Sequence, residues 1–366
     1  ILRPPRSTLF PYTTLFLSDS EIYGGYSNTW DYGPYGVEIK NNIKKLWWQQ
    51  FVQGNELIVG MESAIIMNPK VWESSGHVSD FSDILVDCKK CRSRYRADHL
   101  IEETHKIDVE GWSLDKIDKF VKEKKIKCPN CRNSNFTKTR KFNLLFKTSV
   151  GVVEDKSSTA YLRGETAQGM FINYKSMLGI TRKKMPFCLA QIGKAFRNEV
   201  TPGNYIHRTR EFEQAEIELF HRQNDWEKWF DYWLEEIKKF ADICGIDDKK
   251  LHYHDLPEEK RAHYSRKTVD IEFDFPFGRK ELWGLAYRGD YDLKKHQEAS
   301  GEDFTISDED GKYLPHVIEP SLGIERTLLA ILYSSYKEEK VKGENRVILK
   351  LDKKIAPIKV AVLPLS

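Results

Sequence analysis

Two stretches of alternating residues, 187–199 and 209–220, constrain this chain more than any other feature of its 366 residues. Pro202-Gly203-Asn204 lies between them and supplies a turn, so the spacing predicts an antiparallel hairpin. In the first stretch Phe187, Leu189, Gln191, Gly193, Ala195, Arg197 and Glu199 share one parity, and Cys188, Ala190, Ile192, Lys194 and Phe196 share the other. In the second, Arg208, Arg210, Phe212, Gln214, Glu216 and Glu218 alternate with Ala215, Ile217 and Leu219. A two-residue period sends neighbouring side chains to opposite faces. The hairpin therefore carries arginines and carboxylates above an apolar underside. A polar face on an antiparallel sheet is ordinary. Arginines set against acidic residues, beside a glycine that admits close approach, point further, because clustered charge is costly without a purpose. A guanidinium fork suits a phosphate or a carboxylate with two parallel hydrogen bonds. The hairpin is the first candidate for a functional site.

The length suits two domains or one large elaborated one. Residues 21–36 are dense in glycine and aromatics and read as a shaped loop. Pro34 suits a first helical turn, and Val37, Ile39, Ile43, Leu46, Trp47 and Phe51 predict a helix over about 35–53. Leu57 to Met67 reads as a strand closed by Pro69. Trp226, Trp229, Phe230, Trp233, Leu234, Ile237 and Phe240 follow i, i+3, i+4 spacing behind a cap at Asn224 or Asp225, which makes a packed core helix. Residues 268–290 read as strands and 321–336 as a last helix. Ile358 to Ser366 looks like the first strand of a further α/β domain. Strands and helices without regular βα alternation predict an α+β fold, an antiparallel sheet with helices against it. Residues 1–17, with the near-repeat Thr8-Leu9-Phe10 and Thr14-Leu15-Phe16, are atypical and read as a segment foreign to the rest, not as a signal peptide, since Pro11 interrupts the apolar stretch.

Composition narrows the function class. Hydrophobic residues make up 40% and charged residues 31%, which excludes a disordered or collagen-like chain. No apolar run is long enough to span a bilayer, so no membrane partner is expected. The net charge of +3 neither demands nor forbids a local basic face. Cys88-Lys-Lys-Cys91 and Cys128-Pro-Asn-Cys131 bracket a change of character at about 88–141, which reads as an insertion. Two CxxC pairs can complete a tetrahedron of thiolates for a structural Zn²⁺. Cys188 and Cys244 have no such partner and read as core residues. This usage fits a reducing, cytoplasmic compartment.

Phe196-Arg197-Asn198-Glu199, the turn, and Arg208-Thr209-Arg210-Glu211-Phe212-Glu213-Gln214-Ala215-Glu216 resemble motif 2 of the class II aminoacyl-tRNA synthetases, in the form found in the homodimeric glycyl enzymes. Glu21 to Gly36 is similar to that family's first catalytic segment. Asn68-Pro69 with Ser75-Gly76-His77 resembles the region of motif 1, and Glu319-Pro320-Ser321-Leu322-Gly323-Ile324-Glu325-Arg326 resembles motif 3. Arg94 to Leu100 and Gly164-Glu165-Thr166-Ala167-Gln168-Gly169 resemble glycyl-specific segments, although the family usually has proline where Gly164 stands. The likeness covers about residues 18–366.

The resemblance implies activation of glycine by ATP and transfer to the 3′ end of tRNA(Gly), by a homodimer using Mg²⁺ with ATP. It implies a catalytic domain over 18–352, with the cysteine insertion and a helical insertion at about 224–265, and the start of an anticodon-binding domain over 353–366. Arg197, Arg326 and Glu281 would be catalytic. ATP would meet Arg197, Asn198, Glu199, His207, Arg208, Thr209, Arg210, Glu211, Phe212, Glu281, Leu282, Gly323, Ile324, Glu325 and Arg326. Glycine would meet Arg96, Glu165, Phe212, Glu213, Gln214, Ala215, Glu216, Arg288, Glu319, Pro320, Ser321, Leu322 and Gly323. The alternative is a non-catalytic synthetase-like protein that binds tRNA. Against it stands the joint presence of Arg197, Glu199, Arg210 and Arg326. A serine or proline enzyme of the same class, and a zinc-dependent nucleic-acid module, fit the residues less well.

Overall fold

Seven strands form one central sheet: β1 (Ile58–Gly60), β2 (Phe187–Phe196), β3 (Glu211–His221), β4 (Leu251–Asp255), β5 (Lys267–Phe275), β6 (Gly278–Gly289) and β7 (His316–Gly323). In this computed structural model, residues 15–364 are described apart from 27, 108, 110, 154–157, 201, 263 and 342. The spatial order is β4-β5-β6-β7-β3-β2-β1, and every pair is antiparallel except β1 with β2. The hairpin expected from alternation is β2–β3. Its register sets Phe196 against Glu211 and Gln191 against Glu216. The strands stop sooner at the turn than the alternation suggested, because Gly203 and Arg208 pair and Asn204 and Tyr205 take positive φ.

The hairpin's underside is the main core. Cys188, Ala190, Ala215, Ile217 and Leu219 pack there with helix α1 (Pro34–Trp47), α3 (Trp226–Ile243) and α5 (Ile324–Ser335). The aromatic stripe of α3 behaves as its period implied: Phe230, Trp233, Ile237 and Phe240 are buried. Asp225 takes the N-cap position. The helix expected over 35–53 is α1 followed by a π-helical turn at Trp48–Gln53. The opposite, polar face of the hairpin is not solvated. Helix α2 (Ala167–Thr181) covers part of it, and Phe187, Leu189 and Phe220 pack against Met170, Phe171 and Tyr174. What α2 leaves uncovered becomes a cavity.

Several expectations need correction. Only Ile58–Gly60 of the expected strand over 57–67 joins the sheet, and helix Pro69–Ser74 follows. The last helix starts at Ile324, because His316–Gly323 is the central strand between β6 and β3. Residues 358–364 form no strand, and Ile358, Val360, Val362 and Leu363 are exposed; no neighbouring edge pairs with them. Of the atypical segment, residues 1–14 lie outside the described residues, while Phe16 and Leu17 pair with Tyr32 and Asp31.

The insertion is a compact unit of its own. Strands Ser82–Asp87, Arg94–Arg96 and Arg140–Asn143 form a small sheet, and helices Ala97–His105 and Leu114–Glu123 pack on it through Val86, Leu100, Ile101, Ile117 and Val121. The two cysteine turns are built alike. Cys88 N donates to Ser93 O, and Cys128 N donates to Asn133 O. Arg92 and Arg132 both sit at φ 60°. The four sulfurs lie within 4.8 Å of one another.

Candidate active site

A cavity of about 290 Å³ opens where β3, β6 and β7 lie side by side beyond α2. The sequence decides its two ends: alternation puts Gln214 and Glu216 of β3 on the same face as Glu319 and Ser321 of β7, while α5 begins at the strand's end with Arg326. One end is therefore acidic and the other basic.

The acidic end is a buried network. Glu216 accepts from the Ser321 hydroxyl at 2.6 Å and from the Thr166 amide at 3.1 Å, and the Thr166 hydroxyl makes a further, very short bond to it. Gln214 Nε2 donates to Glu216 at 2.7 Å. Arg288 is fully buried and touches three carboxylates: Asp292 through Nε at 2.8 Å and Nη2 at 3.0 Å, Glu319 through Nη1 at 2.8 Å, and Glu165 through Nη2 at 3.5 Å. Its guanidinium stacks 3.7 Å from the Tyr264 ring centroid. Glu165 also faces His77 Nε2 at 3.3 Å and accepts from Gln168 Nε2 at 3.0 Å. Burial works against the charge of Glu165, but His77 and Arg288 outweigh it and hold its carboxyl below the usual range. Glu319 goes the other way: burial, with Glu216 and Glu165 nearby, outweighs Arg288 and pushes it up to about 8.

The basic end is formed by Arg197, Arg208 and Arg326. Arg197 is sandwiched between the Phe81 and Phe212 rings, 5.1 and 5.3 Å from their centroids, and its Nε donates to Gly164 O at 3.0 Å. Arg326 Nη1 pairs with Glu281 Oε2 at 3.0 Å, and its Nε donates to His207 O at 3.3 Å. Burial and the Arg326 charge push His207 down to about 3, so its ring is neutral. Arg208 contacts Glu199 at 3.4 Å. Gly323 caps the N-terminus of α5 beside the cavity, where free backbone amides and the helix dipole favour an anion.

Gly164, which stands where the resembled family usually has proline, is a close-packed position. A Cβ there would sit 3.0 Å from Leu145 Cδ2 and 3.3 Å from the Phe81 ring. Its carbonyl is what holds Arg197.

The cavity is lined by Glu165, Arg197, Glu199, His207, Arg208, Thr209, Phe212, Gln214, Glu216, Glu281, Leu282, Glu319, Ser321, Gly323, Glu325 and Arg326 from the sequence-derived set. Arg288 stands directly behind Glu165 and Glu319. Other members lie elsewhere. Arg96 is paired with Asp83 at 2.9 Å and Asp98 at 2.5 Å and lines a neighbouring groove with His99 and His254. Glu213, Ala215 and Leu322 have the wrong parity for the cavity: Ala215 and Leu322 belong to the core, and Glu213 pairs with Lys40 at 2.8 Å beneath the sheet. Ile324 is also core. Glu211 is on the surface with Lys194, Arg210 stacks near Tyr26, and neither lines the cavity, nor do Asn198 and Pro320.

The sequence reading missed Asp292, Tyr264 and Lys40. Asp292 stands four residues after Arg288, and a buried arginine requires such a partner, so that spacing was a usable signal. Nothing local marks Tyr264. Lys40 sits on the polar edge of α1's stripe and only tertiary packing buries it, 2.6 Å from Glu325.

The profile of the tRNA synthetase class II core domain (G, H, P, S and T) matches residues 146–335, which hold both ends of the cavity. A glycine–tRNA ligase from Caldanaerobacter subterraneus subsp. tengcongensis is 54% identical over 354 residues, covering 95% of this chain and 77% of that protein. The chain belongs to the glycine–tRNA ligases. Relatives of that name from Clostridium acetobutylicum and Mesoplasma florum are 53% and 52% identical, each over 95% of this chain and 77% and 78% of their own. A prolyl-tRNA synthetase from Cryptosporidium parvum, crystallised with halofuginone and AMPPNP, shares the fold at a TM-score of 0.57 and 13% identity, over 87% of this chain and 49% of that one. The glycine–tRNA ligase family thus places the chain among class II enzymes, and its central antiparallel sheet is the class II core. Among the described residues no helix is long and apolar enough to cross a membrane.

Proposed function

We propose that this chain activates glycine with ATP to glycyl-adenylate and transfers the glycyl group to the 3′ end of tRNA(Gly), releasing AMP and pyrophosphate. The observation that carries the reading is the polarity of one cavity: a ring of buried carboxylates and a serine at one end, paired arginines at the other. Activation is an in-line attack of a carboxylate on the α-phosphorus, and charge grows on the phosphate oxygens. Arg197, whose guanidinium lies over the Phe81 and Phe212 rings, would carry the α-phosphate and the glycine carboxylate together. Arg326 at the start of α5 takes the outer phosphates. Glu281, half-exposed beside Arg326, is a hard oxygen donor of the kind Mg²⁺ uses alongside phosphates. The ion would neutralise phosphate charge, while the arginines orient the reacting groups.

Glu165, Glu216, Glu319 and Ser321 receive the ammonium. Glycine lacks a side chain, so selection works by volume. The four cysteines suit a structural zinc: Cys88–Cys131 and Cys91–Cys128 sulfurs lie 3.5 and 3.6 Å apart, close to the ~3.8 Å edge of a tetrahedron with Zn–S of about 2.3 Å. In the same reading the enzyme is a cytoplasmic homodimer, and residues 18–352 form its catalytic unit.

Glycine-, alanine- and serine-dependent exchange of pyrophosphate into ATP tests this. Exchange with glycine alone, lost in Arg197→Ala, is the expected result. No exchange with any of the three from folded protein would refute it.

A further inference from the structure

Glu218 is the buried titratable group that the activation chemistry leaves unused. It follows Glu216 by two residues on β3, so it shares that face, but it lies behind the cavity wall and not in it. Its side chain is fully buried, and neither oxygen has a hydrogen-bond partner among the described residues. Oxygens of Glu216, Glu218 and Glu319 lie within 4.8 Å of one another. An orphaned, ionised carboxylate in such a place is strongly disfavoured, and neutralisation is the ordinary escape.

The charge around this set does not balance. Facing it from β6 is Arg288, whose guanidinium already touches Asp292, Glu319 and Glu165. From α4 (Tyr291–Ser300) comes Asp292, and from the segment before α2 comes Glu165, with His77 behind it. Arg163 acts on Glu216 from the segment that precedes Gly164, but its own donors are committed to Lys194 O and Ser63 O. Tyr264 on this face and Cys188 on the sheet's other face are neutral groups held so by burial. Among the described residues, Glu216 and Glu218 thus have no cation in contact. Like charges this close cannot all ionise.

We propose that the Glu216–Glu218–Glu319 set holds an exchangeable proton before glycine binds, with Glu218 staying a neutral acid, and that the glycine ammonium replaces that proton. The inference rests on the glycine-activating function. In the exchange a carboxylic O–H on Glu319 or Glu216 breaks, its proton passes through the cavity mouth to water, and ammonium N–H···O bonds form in its place. The ammonium's positive charge does what the proton did, so the charge balance at the carboxylate set is unchanged while one proton leaves to solvent. The raised affinity of Glu319 for a proton, to about 8, and the raised values of Glu216 and Glu218 agree with this. The consequence is that glycine affinity depends on pH through the enzyme, in a range where the glycine ammonium and carboxylate do not themselves titrate.

The test is calorimetric titration of the full chain with glycine, at pH 7, in phosphate and in Tris, whose ionisation enthalpies differ. About one proton released per glycine is expected. The Kd should tighten nearly tenfold from pH 6 to 7 and level off above about 8. Glu218→Gln, a mimic of the neutral acid, should keep Kd within about threefold and keep the proton release, while Glu319→Gln should abolish the release. Binding without proton release, or a loss beyond threefold in Glu218→Gln, would overturn the inference and leave the glycine-activating function standing. Absence of both glycine binding and glycine-dependent exchange in folded protein would overturn both.

Discussion

Lys40→Met removes a cation that two buried carboxylates share, Glu325 and Glu213. Lys40 Nζ lies 2.6 Å from Glu325 and 2.8 Å from Glu213, with side chains 10%, 4% and 12% exposed in that order. Burial works against the lysine charge, but Glu325 and Glu213 more than offset it and keep its pKa above the ordinary value. Breaking a buried pair from one side costs about 3–5 kcal/mol, because a charge is left alone. Lys44 still reaches Glu213 at 3.2 Å, and Tyr32 still donates to Glu325 at 3.4 Å, so the lower end, about 3 kcal/mol, applies here. For a chain of this length that corresponds to a fall in melting temperature of roughly 4 °C. Because Glu325 precedes Arg326 and accepts from the Glu213 amide at 2.8 Å, the KM for ATP should rise severalfold while the KM for glycine stays near its starting value. Lys40→Met combined with Glu325→Gln should regain at least half the lost stability, since the stranded charge is gone. Thermal unfolding and pyrophosphate exchange at varied ATP check both parts. A single variant that melts within 1 °C of the parent, or a double variant less stable than the single, would refute the reasoning.

Other outcomes are expected from the same geometry. Gly284→Ala adds a methyl that meets nothing within 4 Å of the protein yet stands at the cavity wall opposite Ser321, so melting should be unchanged and exchange activity should fall about tenfold or more, as paired scans and assays would show. Elemental analysis should find one zinc per chain, and Cys128→Ser should lower the occupancy and expose residues 88–141 to hydrogen exchange while the central sheet keeps its protection. Glu319 keeps its proton to about pH 8 when folded but releases it near its ordinary value, 4.5, when unfolded. Stability from this group therefore declines as pH rises between those values, by at most about 1.4 kcal/mol per unit, and Glu319→Gln should flatten that slope in denaturant titrations run across the range.

Much of the architecture was legible because the hairpin and helix α3 obey strict periods. Alternation over 187–199 and 209–220 named the pairing and the two faces, and the aromatic stripe of Trp226 to Phe240 named a core helix. The repeated CxxC turns were equally plain, since metal-ligand spacing is local. Where local pattern is ambiguous, tertiary pairing decided. Ser321–Gly323 adjoins the last helix and reads as its first turn, yet it ends a strand because β3 and β6 flank His316–Gly323 on both sides. Ile358 to Leu363 has a strand's composition, yet composition without a partner edge forms none.

The site divides in the same way. Residue types and their order established that arginines and carboxylates would converge on one sheet face, because parity along a strand is a property of the chain itself. Which of them reach the cavity was a matter of three-dimensional packing. Glu213 and Glu216 are close neighbours in sequence, but one is tied to Lys40 beneath the sheet and the other to Ser321 above it. Arg288 and Arg96 looked alike in the sequence. The fold buried the first among three carboxylates and left the second at the edge of the insertion, and the unequal proton affinities of Glu165 and Glu319 follow from that burial and those neighbours, which no local stretch of chain encodes.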